Sequence, residues 1–200
     1  MKHIPLPSPE VLDMPDAEVL FYPTLFDKSE SDAFFQNLTT AIQWEQRQFK
    51  LAGKDISIPR LTAWYGDAGK SYTYSGMTFQ PHSWTPSLLE IKRRVEEAAG
   101  IQFNSVLLNL YRNEQDSVSW HSDDEPELGT NPVIGSVSFG EQRAFQFKHK
   151  HDSQLRRTIE LTTGSLLLMR GTTQAFWKHQ IPKTKIPCGP RINLTFRVIR

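Results

Sequence analysis

Cysteine is almost absent from this 200-residue chain, which contains only Cys188. A single cysteine excludes an internal disulfide and any zinc site built from several thiolates. It is compatible with a reducing compartment, and we expect a cytoplasmic protein, or a nuclear one if the source is eukaryotic. Residues 1–5 lack the hydrophobic core of a signal peptide, so the sequence predicts no export.

Long hydrophobic runs are also missing. The longest apolar stretch, residues 166–169, is far shorter than the roughly 20 residues that span a bilayer. The composition, 38% hydrophobic and 22% charged, excludes both a membrane protein and a disordered chain. The length fits one domain, and no internal repeat or linker divides it. We therefore expect an extended, proline-rich arm over residues 1–17 and a single domain over residues 18–200, monomeric and without a membrane partner.

Charge is nearly balanced overall, with a net charge of +1, but it is unevenly distributed. Residues 113–128 contain six acids and no Lys or Arg, whereas residues 142–200 contain twelve basic residues against two acids. An acidic segment beside a basic one is typical of a cation site next to a polyanion site. Ordinary surface patterning explains the same distribution equally well, so charge alone does not decide between them.

Two helices are predicted in the first half of the chain. The first covers residues 29–42, with Ser29 as its cap and apolar residues on one face. The second covers residues 85–99, with Thr85 as its N-cap and Gly100 just beyond its end.

Short strand-like segments follow one another from residue 101 onward, separated by turn residues. They cover residues 105–111, 133–139, 144–148, 157–161, 165–169, 176–180 and 191–198. Strands without intervening helices indicate an antiparallel sandwich or barrel. The predicted fold is therefore α+β, a double-stranded β-helix (jelly roll) over residues 101–200 with the N-terminal helices packed on it.

Three residues predict a metal site. His121 and Asp123 lie two positions apart in the acidic segment, so both side chains point to one side if the chain is extended. His179 is the candidate third ligand from another strand. Two histidines and one carboxylate form the facial triad of non-haem Fe(II) oxygenases, which leaves three positions open. The HxD pair alone is a weak motif, because many such pairs bind nothing.

The last predicted strand carries a polar face. Alternation places four side chains on one side of it: Arg191, Asn193, Thr195 and Arg197. One interpretation is a half-exposed strand with solvated arginines. The other is a barrel interior, where buried arginines need anions and a dicarboxylate would supply them. Asn109 and Tyr111 share one side of another predicted strand and offer neutral donors to the same ligand.

Together these motifs resemble the AlkB family of Fe(II)/2-oxoglutarate dioxygenases, most closely the branch that contains the second animal homologue, a DNA repair enzyme. The resemblance rests on HxD with its distal histidine, on the RxNxTxR strand, and on residues 59–67, 72–76 and 132–140. It covers roughly residues 18–200. The resemblance implies that residues 18–100 contain a nucleotide-recognition lid as well as the helices.

The resemblance also implies roles for individual residues. The residues expected to hold Fe(II), and so to be catalytic, are His121, Asp123 and His179. The residues expected to hold the cosubstrate 2-oxoglutarate are Asn109, Tyr111, Arg191, Asn193 and Arg197. The implied reaction consumes O2 and demethylates 1-methyladenine and 3-methylcytosine in DNA, releasing succinate, CO2 and formaldehyde. Bulkier etheno adducts are further candidate substrates, and the DNA partner is either single- or double-stranded.

The substrate contacts implied by the resemblance involve residues Leu51, Ala52, Tyr72, Tyr74, Ser75, Asp124 and Glu125. A flipped base would lie between the rings of Tyr74 and His121, with Glu125 or Asp124 accepting from its exocyclic amine. Leu51 and Ala52 match a hairpin tip that inserts into the duplex, here without an aromatic residue. The alternative for Tyr72 and Tyr74 is an edge strand that packs on the core.

Three other functions remain open at the level of the sequence. The first is an RNA demethylase of the same fold, the second is an oxygenase acting on protein side chains, and the third is a non-catalytic nucleic-acid-binding module. Four tryptophans are predicted to lie in the core rather than to stack on bases: Trp64, Trp84, Trp120 and Trp177.

Overall fold

The computed structural model describes residues 6–51, 53–70, 72–74 and 77–200, with side chains for all of these except 49–51, 72–74 and 77–79. The helices are α1 (Lys28–Ala41), α2 (Pro86–Ala99) and the single turn α3 (Thr173–Phe176). The strands are β1 (Glu10–Val11), β2 (Glu18–Tyr22), β3 (Gln48–Leu51), β4 (Lys54–Ser57), β5 (Leu61–Gly66), β6 (Tyr72–Tyr74), β7 (Met77–Phe79), β8 (Ser105–Tyr111), β9 (Val118–His121), β10 (Ile134–Gly140), β11 (Arg143–His149), β12 (Arg156–Leu161), β13 (Ser165–Arg170), β14 (Trp177–Ile181) and β15 (Arg191–Arg197). Within the described ranges, no helix is both long and apolar enough to cross a membrane.

Two antiparallel sheets form the jelly roll. The large sheet has the strand order β1-β2-β13-β10-β15-β8-β5, and the small sheet has the order β12-β11-β14-β9. One apolar core lies between α1, α2 and the outer face of the large sheet, and a second lies between the two sheets. The pairs β3–β4 and β6–β7 are separate hairpins. The predicted α+β jelly roll is confirmed.

The polar face of β15 lies inside the jelly roll. β15 pairs with β10 on one side and with β8 on the other, so it is central in the large sheet. Its apolar residues Ile192, Leu194 and Phe196 belong to the helix-covered core. Because successive side chains alternate across a strand, the four polar residues face the small sheet. The interior interpretation of this strand is therefore the correct one.

All seven predicted strands are present, and β8 matches its prediction residue for residue. Besides the short edge strand β1, two strands of the large sheet, β2 and β5, come from the first hundred residues, where only an extended arm, helices and a lid were expected. Most residues of both strands are buried, so neither strand shows the alternation of polar and apolar residues that marks a half-exposed strand. β9, which ends at His121, was also not predicted.

The first helix begins one residue earlier than predicted because Asp27, not Ser29, is its N-cap. The Asp27 carboxylate accepts from the Glu30 backbone N–H at 2.8 Å, and the Glu30 carboxylate accepts from the Asp27 N–H at 3.0 Å. This capping box satisfies two N–H groups that have no partner within the helix. At α2 the Thr85 cap and the left-handed Gly100 are confirmed.

Replacing Asp27 with alanine is expected to destabilise the protein by about 1 kcal/mol, because the cap hydrogen bond is lost. Ser29→Ala is the matched control, since Ser29 lies in the same helical turn but does not cap it. Urea unfolding of the two variants checks the assignment. A larger loss for Ser29→Ala than for Asp27→Ala would contradict it.

The described part of the N-terminal arm is extended and packed against the sheets. Leu12 and Met14 are buried in the core between the sheets. The Trp177 indole N–H donates to the Pro15 carbonyl at 2.7 Å. These contacts attach the arm to β14.

Candidate metal centre and its cavity

Three candidate metal ligands come together where the small sheet faces the interior. His121 ends β9 and is the direct cross-strand partner of His179 on β14. Asp123 follows in the turn after β9. One ligand atom from each of the three residues lies within 4.8 Å of the others. The structure thus brings together the three residues that the sequence predicted, and the sheet register accounts for the two histidines.

The two histidines are arranged to offer lone pairs. The Nδ1 atom of His121 lies 2.8 Å from the Ser119 carbonyl oxygen, which can only accept, so Nδ1 carries the proton and Nε2 is free to bind a metal. Burial lowers the pKa of His179 to about 3, against the opposing effect of Asp123, so its imidazole is neutral. Neutral imidazole is the form that ligates metals.

Asp123 is the anionic member of the group. Burial raises the pKa of its carboxyl, but opposing interactions, the largest of them with the charge of Arg197, hold that pKa below its usual value. Arg197 donates through Nη2 to one carboxylate oxygen of Asp123. The other oxygen lies 3.8 Å from Nε2 of His179. An ionised carboxylate beside two imidazole rings is the donor set of an Fe(II) facial triad.

A cavity of about 550 Å³ extends from these ligands between the two sheets. Its volume falls in the range of small-molecule sites. The lining includes the metal-ligand candidates and every predicted cosubstrate residue: Asn109, Tyr111, Arg191, Asn193 and Arg197. The structure therefore places the two predicted sites in one cavity.

Arg191 is the strongest indication of an anionic ligand. Its side chain is 1% exposed, and its guanidinium lies 5.2 Å from the centre of the Tyr111 ring. Nη2 donates to the Ser138 hydroxyl at 2.9 Å, whereas Nε and Nη1 have no hydrogen-bond partner among the described residues. Burial lowers its pKa to about 10, which leaves it charged at neutral pH. A buried cation with two such N–H groups fits a carboxylate of 2-oxoglutarate.

Asn109 and Asn193 differ in what they can still bind. The Asn109 amide oxygen accepts from Arg60 Nε at 2.8 Å, which leaves its amide nitrogen to donate to a ligand. Asn193 donates to the Ser136 hydroxyl at 2.8 Å and accepts from the Thr195 hydroxyl at 3.0 Å. Asn193 lines the cavity, but its amide is already used in hydrogen bonds within β15 and between β15 and β10.

The predicted substrate residues do not all lie at the cavity. Glu125 lines the cavity, and its buried Oε2 atom has no hydrogen-bond partner in the described part of the chain. Asp124 is exposed instead, does not line the cavity, and pairs with Lys150 at 3.1 Å. The other predicted substrate residues cannot be compared in the same way. Ala52 and Ser75 lie outside the described residues, and so do the side chains of Leu51, Tyr72 and Tyr74.

Sequence reasoning missed two residues of the cavity wall. Arg60, described above, also donates to the Ser117 carbonyl at 3.0 Å, and no local pattern marks a partner 49 residues away. Trp120 was predicted to lie in the core, but it is only half-buried and lines the cavity, with the Lys148 ammonium 4.5 Å from the ring centre. The position of Trp120 directly beside the metal-ligand candidate His121 is the sequence signal that could have placed it at the cavity.

The profile described as "2OG-Fe(II) oxygenase superfamily" matches residues 18–197. Human alkB homolog 3, an alpha-ketoglutarate-dependent dioxygenase, is 44% identical over 192 residues, which cover 92% of this chain and 66% of that protein. Human ALKBH2, a DNA oxidative demethylase, is 42% identical over 188 residues, which cover 89% and 72% of the two chains. The chain belongs to the AlkB family of 2OG-Fe(II) oxygenases. The predicted family is confirmed, and relatives of two animal branches match at nearly equal identity.

A solved structure supports the same fold. OsALKBH1 superposes with a TM-score of 0.66 over 95% of this chain and 99% of that one, at 16% identity. Membership in the family implies Fe(II) and 2-oxoglutarate, and the residues present fit both. The open His-Asp-His group fits the metal, and the buried guanidinium of Arg191 fits a carboxylate. The chain spans about two thirds, 66%, of the length of the alkB homolog 3 protein it matches.

Proposed function

We propose that this protein removes alkyl groups oxidatively from DNA bases, with 1-methyladenine and 3-methylcytosine as substrates and etheno adducts as a further class. The similarity to proteins named DNA oxidative demethylases supports the DNA substrate. The single observation that carries the base assignment is the buried carboxylate oxygen of Glu125 in the cavity wall, which has no hydrogen-bond partner among the described residues. A buried acceptor needs a donor, and the exocyclic amine of adenine or cytosine supplies one.

Different residues of the cavity would bind the metal and the cosubstrate. His121, Asp123 and His179 would hold Fe(II) and leave three coordination positions open. Arg191 would hold the distal carboxylate of 2-oxoglutarate, with Asn109 donating from β8. When bound, iron, 2-oxoglutarate and O2 together supply the oxidation of an N-methyl group, which yields succinate, CO2 and formaldehyde.

Arg197 and Glu125 would then orient the reacting groups. Arg197 donates to the Asp123 carboxylate, and its buried Nε has no partner among the described residues, so it can also donate to a ligand at the metal side of the cavity. Glu125 would accept from the exocyclic amine of a base extruded from the strand. Its negative charge also suits a methylated ring, which is cationic. No protein nucleophile is required; the chain binds, orients and excludes water.

The proposal is tested with 1-methyladenine placed in three matched oligonucleotides: single-stranded DNA, duplex DNA and RNA. Formaldehyde and succinate are measured together, and the unmethylated oligonucleotides are the controls. We expect both products in equal amounts on DNA. Turnover confined to RNA would replace the proposal with an RNA demethylase. Succinate formation that no methylated oligonucleotide stimulates would point to another class of substrate.

Glu125→Ala is expected to lower kcat/KM for 1-methyladenine in single-stranded DNA by roughly 10- to 100-fold. Hydrogen bonds that involve a charged group contribute about 1.5–3 kcal/mol, and about 1.4 kcal/mol corresponds to tenfold. Glu127→Ala is the matched control, because Glu127 is a nearby acid that does not line the cavity. Equal losses in the two variants would show that Glu125 acts through general charge and not through a base contact.

A further inference from the structure

The turn that carries Asp123 lies beyond the last ladder pair of β9. That pair joins His121 to His179, so strand pairing fixes both histidines but not the aspartate. The backbone N–H of Asp123 instead donates to the Oε1 atom of Gln174 at 2.9 Å. Gln174 lies in α3, the single turn that leads directly into β14 and therefore to His179.

Gln174 is buried for a side chain of its polarity. It is 2% exposed, and its amide nitrogen reaches only the Met169 sulfur, at 3.5 Å. Thioether sulfur is a weak acceptor, and a buried polar side chain costs free energy unless it is hydrogen-bonded. The bond to Asp123 is therefore the main polar interaction of this side chain among the described residues.

Three further hydrogen bonds join the same segments. The Lys150 ammonium donates to the Gln174 carbonyl at 2.8 Å and to the Asp124 carboxylate at 3.1 Å. The Ser122 hydroxyl donates to the Trp177 carbonyl at 2.9 Å. We call these bonds, together with Gln174 to Asp123, the α3–turn contact. It links the turn that carries Asp123 to the chain just before His179.

We propose that Gln174 is a positioning residue for the metal centre. Its amide oxygen holds the backbone of Asp123, so that the carboxylate is oriented toward the space shared with His121 and His179 before a metal arrives. Arg197 fixes the carboxylate from the side of β15, and Gln174 fixes the backbone from the side of α3. Partners that orient metal ligands in this way typically change metal affinity by about 10- to 100-fold when they are removed.

Gln174→Met tests the proposal, because methionine has a similar shape and offers no amide oxygen. Thr173→Val is the matched control. Thr173 lies in the same turn and is 1% exposed, but its hydroxyl bonds to Glu18 and Arg170 and not to the turn after β9. Mn(II) affinity is measured by calorimetry in the presence of 2-oxoglutarate, and Tm is measured for each protein. Neither measurement involves nucleic acid, so the result is independent of the proposed substrate.

Gln174→Met is expected to bind Mn(II) about 10- to 100-fold more weakly than the unaltered protein. Thr173→Val is expected to lower Tm while keeping the Mn(II) affinity within about threefold, because its lost bonds do not reach the metal ligands. Unchanged affinity in Gln174→Met, or equal weakening in both variants, would overturn the proposal.

Lys150→Met gives a second test if Gln174→Met does not fold. It removes the two bonds made by the ammonium and leaves Gln174 in place. We expect weaker Mn(II) binding in Lys150→Met and unchanged binding in Lys178→Met, since Lys178 is an exposed lysine on β14. The same affinity in both lysine variants would count against the α3–turn contact.

Discussion

His179→Ala is expected to reduce formaldehyde release by more than about 100-fold, even with excess Fe(II). Removing a residue that only hydrogen-bonds to a metal ligand typically costs about 10–100-fold. The loss expected here is larger, because the substitution removes one of the three candidate protein ligands. His179 is a cleaner choice than Asp123, whose removal would leave the Arg197 guanidinium without its carboxylate partner. The fold should survive, since the imidazole is neutral and its removal leaves no buried charge without a partner.

His151→Ala is the control for this variant. His151 is an exposed histidine just after β11, and it does not line the cavity. Formaldehyde and succinate are measured on the same oligonucleotide, and circular dichroism reports the fold. A His179→Ala protein that keeps more than about a tenth of the activity would remove this residue from the metal site.

Arg191→Ala is expected to weaken 2-oxoglutarate binding by about 2–5 kcal/mol, the range for truncating one partner of a buried, hydrogen-bonded charge pair. This corresponds to roughly 30-fold or more in Kd, since about 1.4 kcal/mol corresponds to tenfold. Arg191→Lys should recover part of the loss, because lysine keeps the positive charge but cannot form a bidentate hydrogen bond with a carboxylate.

A comparison of ligands separates a direct contact from a general disturbance. Succinate contains a carboxylate equivalent to the distal one of 2-oxoglutarate and should lose affinity to a similar degree. Pyruvate lacks that carboxylate and should bind the Arg191→Ala protein as it binds the unaltered one in competition against 2-oxoglutarate. Equal loss for pyruvate and 2-oxoglutarate would place Arg191 away from the distal carboxylate.

The candidate site residues that the sequence indicated, and that the structure brings together, are those whose chemistry shows in short patterns. HxD indicated two candidate metal ligands, and the alternation of polar residues in β15 indicated the face of Arg191, both from the sequence alone. The orientation of that face was undecided, because an alternating strand is equally consistent with a solvated side and a barrel interior. The pairing of β15 with β10 and β8 on its two sides settled it.

Residues whose role depends on distant partners were not predictable in this way. Gln174 contacts Asp123 across 51 residues of sequence, and Arg60 contacts Asn109 across 49. Neither lies in a pattern that local periodicity would distinguish. The buried strands β2 and β5 were missed for a related reason, since short apolar runs buried on both faces lack a diagnostic period.

The register that pairs His121 with His179 also bears on how the protein folds. The two ligands are separated by the whole β10–β13 segment of the chain, so they meet only after non-local strands have paired, which is slow and entropically costly. An unfolded chain therefore has no local group of ligands with which to capture iron, in contrast to zinc fingers, whose closely spaced ligands make metal binding drive folding. We expect the refolding rate to be independent of Mn(II) concentration, and an acceleration by the metal would contradict this order. On this basis we expect iron to bind after folding, so that the supply of iron sets the active fraction of the folded protein and not the yield of folding.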